Sequence, residues 1–126
     1  MIHLDTSFLI RSLARGTQED AALRQWLRAG ESLAIDAIAW TEFLCGPLSS
    51  DAIAVAGQLL GEPVPFGASE SEVAARLFNE SGRRRGTLVD CMIAAGAIQR
   101  GAALATSNDA DFRRLAPFGL ELITTR

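Results

Sequence analysis

Six carboxylates stand where they could do chemistry together: Asp5, Asp36, Glu42, Asp90, Asp109 and Asp111. Two of them, Glu42 in "AWTEFL" and Asp90 in "LVDCMI", are flanked by apolar residues, so neither is expected to be fully solvated. A carboxylate taken out of water needs a partner, and neither segment supplies a basic residue of its own. A divalent cation satisfies several carboxylates at once. All-oxygen ligation with positions left for water suits Mg²⁺ or Mn²⁺, and such a centre activates water for hydrolysis.

Each acid also has a purely structural reading. Asp5, Asp36 and Asp109 are natural caps for the helices that follow them. Glu42 reads as a buried acid paired with an arginine. Asp90 lies three residues after Thr87, the spacing of a capping-box variant. Asp111 reads as a favourable first-turn charge. Any one of these suffices for its residue; the coincidence of all six is what they leave unexplained.

The elements that must position these acids alternate along the chain. "IHLD" predicts a strand ending at Asp5 and "SLAID" a second ending at Asp36; "AALAT" and "LELIT" predict two more. Helices are predicted over "TSFLIRSLA", "QEDAALRQWLRAG" with Gly30 as its stop, "IAWTEFLCG", "SSDAIAVAGQLLG" capped by Ser49 or Ser50, "SESEVAARLFNESG", the apolar segment after Thr87, and "DADFRRLA". "EPVPFG" is a brief extended piece. Strands alternating with helices predict a three-layer α/β/α fold around a central, mostly parallel sheet. Ligands of such sheets bind beyond the carboxyl ends of the strands, where Asp5, Asp36 and the Asn108–Asp111 segment fall.

The 126 residues predict a single domain, 1–126, with a real core. With 48% hydrophobic and 21% charged residues, the composition is that of a globular protein. Cys45 and Cys91 make neither a Cys-x-x-Cys spacing nor a disulfide framework, so a reducing cytoplasm is expected. The start lacks the features of a signal peptide, and no apolar run is long enough to span a bilayer. A net charge of −3 excludes a generally basic nucleic-acid binder. All twelve basic residues are Arg, and Arg83, Arg84 and Arg85 form a run just ahead of Asp90. That run reads either as a basic lip for phosphates or as a solvated helix end; Arg113 and Arg114 either extend the lip or sit on a surface helix. His3, the only histidine, lies inside the first strand and reads as structural. Trp26 and Trp40 read as core or interface residues.

Four segments together resemble the PIN-domain ribonucleases, and within them the VapC-type toxins of bacterial toxin–antitoxin pairs. "HLDTSFLI" is similar to the family's apolar–apolar–Asp–Thr/Ser opening, "TEFLCG" to its Glu-x-x-x-Gly helix, "GTLVDCMIAAGAI" to its Asp segment, and "LATSNDADF" to a variant of its last motif. The resemblance spans essentially the whole chain. It implies metal-dependent hydrolysis of single-stranded RNA, with one or two Mg²⁺ (or Mn²⁺) ions, leaving a 5′-phosphate and a 3′-hydroxyl. It carries the family's first three acids onto Asp5, Glu42 and Asp90. The fourth falls on Asp111, with Asp109 as a candidate, because Asn108 stands where many members have Asp. Thr6, Thr106 and Asn108 match residues beside the site and, with the Arg83–Arg85 run, are candidate RNA contacts; Asp36 falls where the family more often has Ser or Thr. The resemblance also implies a VapB-type antitoxin partner and a homodimer; no membrane association is expected, because no apolar run is long enough to span a bilayer.

Other Mg²⁺-binding classes fit less well. Phosphatases and receiver domains use a lysine near the phosphate, and the chain has none; the Asp-x-Asp phosphatase opening is missing, and no Gly-Lys-Ser/Thr loop marks a P-loop NTPase. The alternative from another class is a non-catalytic PIN-like module that binds RNA or protein.

Overall fold

A computed structural model describes residues 1–125. The chain alternates as predicted. Strand β1 spans Ile2–Leu4, β2 Leu33–Ala34, β3 Ala103–Ala105 and β4 Leu122–Ile123. They form one parallel sheet in the order β2-β1-β3-β4. Every residue of β1 and of β3 is buried, as required of central strands covered by helices on both faces. This is the α/β/α architecture. The extended segment after Gly61 joins the sheet edge through a parallel bridge between Val64 and Asp36.

Among the described residues seven α-helices surround the sheet: α1 Thr6–Ser12, α2 Gln18–Arg28, α3 Ala37–Leu44, α4 Ser50–Leu60, α5 Ala68–Glu80, α6 Leu88–Gln99 and α7 Asp109–Phe112. Four starts are capped by side chains accepting a backbone N–H three residues on: Asp5 from Phe8, Thr17 from Asp20, Asp36 from Ala39 and Ser49 from Ala52. The predicted single helix "DADFRRLA" is instead α7 followed by a 3-10 turn over Arg113–Phe118, which Pro117 favours by removing an N–H from any further helical ladder.

Helix α6 is the centre of the molecule. Cys91 and Ile93–Ala97 are buried in succession, so the helix is covered nearly all round, by α5 along one side and by α3 and β3 on others. Its small residues permit close approach. A Cβ on Gly96 would lie 2.5 Å from Oδ2, 3.1 Å from Cβ and 3.2 Å from Cγ of Asp36, which caps α3. Trp26 stacks on buried Phe8 and Trp40 packs on buried Phe43, so both indoles belong to the core margin. Among the described residues no helix is long and apolar enough to cross a membrane.

Candidate active site

The carboxyl ends of β1 and β3 meet at Asp5 and Thr106, and the bonds there define the floor of the site. Asp5 is buried. Its Oδ1 accepts from the Phe8 N–H and from the Ser7 hydroxyl, each at 2.8 Å, and its Oδ2 accepts from the Thr106 hydroxyl at 2.5 Å. Thr106 in turn accepts the Asn108 N–H at 2.9 Å, and Ser7 accepts the Ser107 N–H at 3.2 Å. The acid is thereby fixed, and the loop after β3 is fixed to it. Burial pushes the Asp5 carboxyl above its ordinary pKa; its three hydrogen bonds oppose that shift and the charge of Asp111 adds to it.

Above this floor lies a solvent-open cavity of about 440 Å³. Asp5, Glu42, Asp90 and Asp111 line it, with Thr6, Ser7 and Asn108 between them and Ile10, Ile93 and Phe112 as its apolar walls. Four elements therefore deliver one carboxylate each: the end of β1, α3, the first turn of α6, and α7. Asp90 is half-buried, and its carboxyl is pushed up to about 6, first by burial, then by the charge of Asp111, with Glu42 and Asp5 adding and Arg114 opposing. The cavity thus holds more negative charge than its own walls neutralise.

The remaining candidates fall elsewhere. Asp109 does not line the cavity and is ion-paired with Arg113 one turn along the chain. Asp36 is buried as the α3 cap against Gly96, outside the cavity, with its carboxyl pushed up to about 6 by burial first and by Glu42 second. Thr106 is 1% exposed and its hydroxyl is committed to Asp5, which leaves it no surface for RNA. Thr6 donates to the Ala39 carbonyl at 2.8 Å and lies 3.3 Å from Glu42 Oε1. Arg83, Arg84 and Arg85 are exposed on the turn between α5 and α6, outside the cavity lining. Arg83 adopts φ 52° and donates to Asn79 Oδ1 at 2.9 Å.

Two readings of the apolar flanks are corrected. Glu42 is exposed at the cavity rim, because Ala39 and Phe43 take the buried face of α3 and leave residue 42 outside it. Asp90 does not complete a capping box: Thr87 makes no side-chain cap bond and its hydroxyl donates back to the Arg84 carbonyl at 2.7 Å. Three supporting residues carried no recognisable sequence signal. Ser7 is an ordinary helix-start residue, Ser107 an ordinary loop residue and Glu19 one more first-turn acid. Yet Glu19 is 1% exposed, and its Oε1 accepts from Arg11 at 3.1 Å and from Ser107 at 3.2 Å, tying the α1–α2 hairpin to the loop after β3.

Oxygen atoms are the only strong donors facing the cavity, which is the donor set of a hard divalent cation. Among the described residues no three acidic groups already converge on one point. Glu42 and Asp111, both exposed, have the freedom to turn inward.

His3, buried in β1 with no hydrogen-bond partner on either ring nitrogen among the described residues, is held neutral. Its pKa falls to about 4, chiefly through burial and then through the charges of Arg100 and the N-terminus. This sets up an opposed pH dependence. A lowered histidine pKa gives stability that is complete above 6.5 and drains as pH falls towards 4. The raised acids Asp36 and Asp90 impose a penalty that is complete above about 6 and fades as pH falls towards 3.8. Metal-free wild type is therefore expected to hold its melting temperature within about 3 °C between pH 7 and 5. The His3→Leu variant, relieved of the opposing group, is expected to melt higher at pH 5 than at pH 7. A fall of its melting temperature over that range would show that the acids are not strained by their surroundings.

An α/β/α domain with an acidic cavity at the carboxyl ends of its central strands is the class that fold and site define. The chain belongs to the PIN domain family, whose profile matches residues 2–117. Comparison with curated proteins returns no match. Among solved structures the chain is similar to a toxin–antitoxin complex from Klebsiella pneumoniae (22% identity, 100% of this chain and 98% of that one, TM-score 0.78). It is also similar to VapBC2 from Rickettsia felis bound to a DNA fragment from its promoter (21% identity, 98% of each chain, TM-score 0.77). A third similarity is to VapBC-5 from Mycobacterium tuberculosis (28% identity, 97% and 96% coverage, TM-score 0.60).

Proposed function

We propose that the protein is a divalent-metal-dependent endoribonuclease that cleaves single-stranded RNA, and that it is the VapC-type toxin of a toxin–antitoxin pair. PIN domains are generally nucleases, and the observation that carries the reading here is the cavity in which four carboxylates from four elements face one solvent-open space. Asp5 and Asp90 hold the ion, with Glu42 and Asp111 as direct or water-mediated ligands; Asp109 is the lesser candidate. Bound there, Mg²⁺ or Mn²⁺ supplies Lewis acidity toward phosphate and lowers the pKa of water. The chain supplies the rest. Ser7, Phe8 and Thr106 fix Asp5 so that its carboxylate does not reorganise during reaction. Thr6 steadies Glu42 at the rim. Asn108 offers a neutral polar group where a further acid would repel a polyanion. His3 is buried, neutral and takes no part as a base.

The partner follows from the same reading. A second recess, about 530 Å³, lies between the α1–α2 hairpin and α4, with Leu27 and Val55 nearly half exposed at its edge and Leu13, Leu23 and Leu59 deeper. It suits an apolar helix of a VapB-type antitoxin, and the complexes named above support such a partner. A homodimer in the cytoplasm completes the proposal. The test is to sequence RNA ends after inducing the protein alone, in parallel with Asp5→Ala. New 5′-phosphate ends are expected with wild type only. The same ends from both proteins, or none from either, would favour the non-catalytic RNA- or protein-binding module.

Arg83, Arg84 and Arg85 are proposed as phosphate contacts. Replacing all three with Ala is expected to weaken RNA binding across sequences and to flatten the slope of log affinity against log salt by about 1–2, since fewer counterions are released. An unchanged slope in a filter-binding series would return the run to the role of a solvated turn.

A further inference from the structure

One cation stands behind the cavity rather than in it. Arg114 follows α7 in the 3-10 turn and does not line the cavity. Its Nη1 donates to the backbone carbonyl of Asp111 at 2.5 Å. Its Nη2 lies 3.9 Å from Asp90 Oδ2, in a pair whose side chains are only 20% and 28% exposed. Among the described residues neither Nε nor Nη2, both buried, has an oxygen or nitrogen hydrogen-bond partner, and the guanidinium also acts on the buried Cys91 thiol, whose charged form it favours. A guanidinium ordinarily meets a carboxylate through two short parallel bonds. Here the approach to Asp90 is a charge contact without a hydrogen bond, while the carbonyl of Asp111 anchors the other end of the fork. Arg114 thus links the two elements that carry Asp90 and Asp111, and it is the only cation paired with a carboxylate of the cavity among the described residues.

We propose that Arg114 is a positioning residue: the resident counter-charge that holds Asp90 in the metal-free protein and yields it when a divalent cation enters the cavity. The inference rests on the metal-binding reading above. Its physical basis is simple competition. Without metal, Arg114 is the one favourable charge beside an acid surrounded by like charges. With metal, the same guanidinium repels the dication from a few ångströms away. Arg114 therefore makes the empty site tolerable and makes the filled site weaker than its ligands alone would allow.

The experiment is a thermal-shift titration with MnCl₂, and with MgCl₂ in parallel, on wild type, Arg114→Gln, Arg114→Lys, and Arg114→Gln combined with Asp90→Asn. In chelator, Arg114→Gln is expected to melt a few degrees below wild type. Its half-saturating Mn²⁺ concentration is expected to be about three- to tenfold lower than that of wild type, because a repulsive charge has been removed. A residue that served packing alone would lower the melting temperature in chelator and in metal equally and leave the midpoint in place. Arg114→Lys keeps the charge and is expected to restore the wild-type midpoint to within about twofold; should Arg114→Gln fail to fold, the neutral Arg114→Met carries the test, with the same lowered midpoint expected. In the Asp90→Asn background, Arg114→Gln should cost less stability than in wild type. An Arg114→Gln midpoint equal to or above that of wild type, a tight Arg114→Lys midpoint, or an equal cost in the Asp90→Asn background overturns the inference and leaves the metal reading standing. A wild type that shows no metal-induced rise overturns both.

Discussion

The Asp90→Asn protein is expected to cleave RNA at least about 100-fold more slowly than wild type, and to melt at a higher temperature than wild type in chelator. The two effects have one origin. Asp90 sits in the first turn of a helix whose following residues are buried, and burial, Asp111, Glu42 and Asp5 all raise its carboxyl pKa, with Arg114 alone opposing. The net shift is upward, to about 6, so at neutral pH the ionised group is held in a site that prefers it neutral. Asparagine has nearly the same shape and no charge. It removes the repulsion and also a negative ligand of the proposed cation. Added Mn²⁺ should accordingly raise the melting temperature of wild type more than that of the variant. Asp111→Asn is expected to lower the cleavage rate further than Asp109→Asn, whose carboxylate is already paired with Arg113 outside the cavity. A variant Asp90→Asn that melts below wild type in chelator and answers metal equally would make Asp90 a structural residue.

The second large effect lies at Gly96→Ala. In an ordinary helix interior this change is favourable by about 1 kcal/mol. Here the new methyl would meet Oδ2, Cβ and Cγ of Asp36 at 2.5, 3.1 and 3.2 Å, so a rotation of the carboxylate alone does not clear it. Asp36 must withdraw as a unit and give up its 2.8 Å bond to the Ala39 N–H, which starts α3. Overpacking and a lost cap together cost about 2–4 kcal/mol, leaving a net loss of about 1–3 kcal/mol and a melting temperature lower by roughly 4–12 °C. The same substitution in an Asp36→Ala background should be neutral or stabilising, since the obstructing carboxylate is gone. Equal destabilisation in both backgrounds would mean that Gly96 serves some contact other than the Asp36 side chain. Because α3 also carries Glu42, the single variant should lose RNA cleavage beyond what its fraction unfolded explains.

How far the site was legible in the sequence depends on which kind of contact is asked about. The order of strands and helices follows from hydrophobic periodicity and turn residues, and it places Asp5 at a strand end and Asp90 and Asp111 in helix first turns. The residues that brace the acids do not announce themselves. Thr106 is 101 positions from Asp5, Ser107 is 88 from Glu19, and a short hydroxyl or a first-turn Glu has no periodicity to betray its partner. The exposure of Glu42 was misjudged for a different reason. Apolar neighbours in sequence are not neighbours on a helix face, and α3 buries positions 39 and 43 while presenting 42 to the cavity. Arg114 reads in the sequence as part of a basic lip or of a surface helix, yet it lies half-buried behind the cavity, because a 3-10 turn carries no amphipathic signature that tells inward from outward. Nothing in the sequence marks Gly96 out from the alanines around it; only the fold brings Asp36 against it.

The sheet order has a consequence for the timing of synthesis. β1 is made well before its partner β3, which begins at Ala103, and the bond that fixes Asp5 comes from Thr106. A chain still lacking that stretch has a first strand without its central neighbour and a first acid without its brace. Contacts of such long sequence separation are the slow ones to form, because a large loop must close before they give anything back. The floor of the cavity therefore cannot form until the chain through Thr106 is available, and a translation product interrupted before β3 lacks both the central partner of β1 and the brace of Asp5.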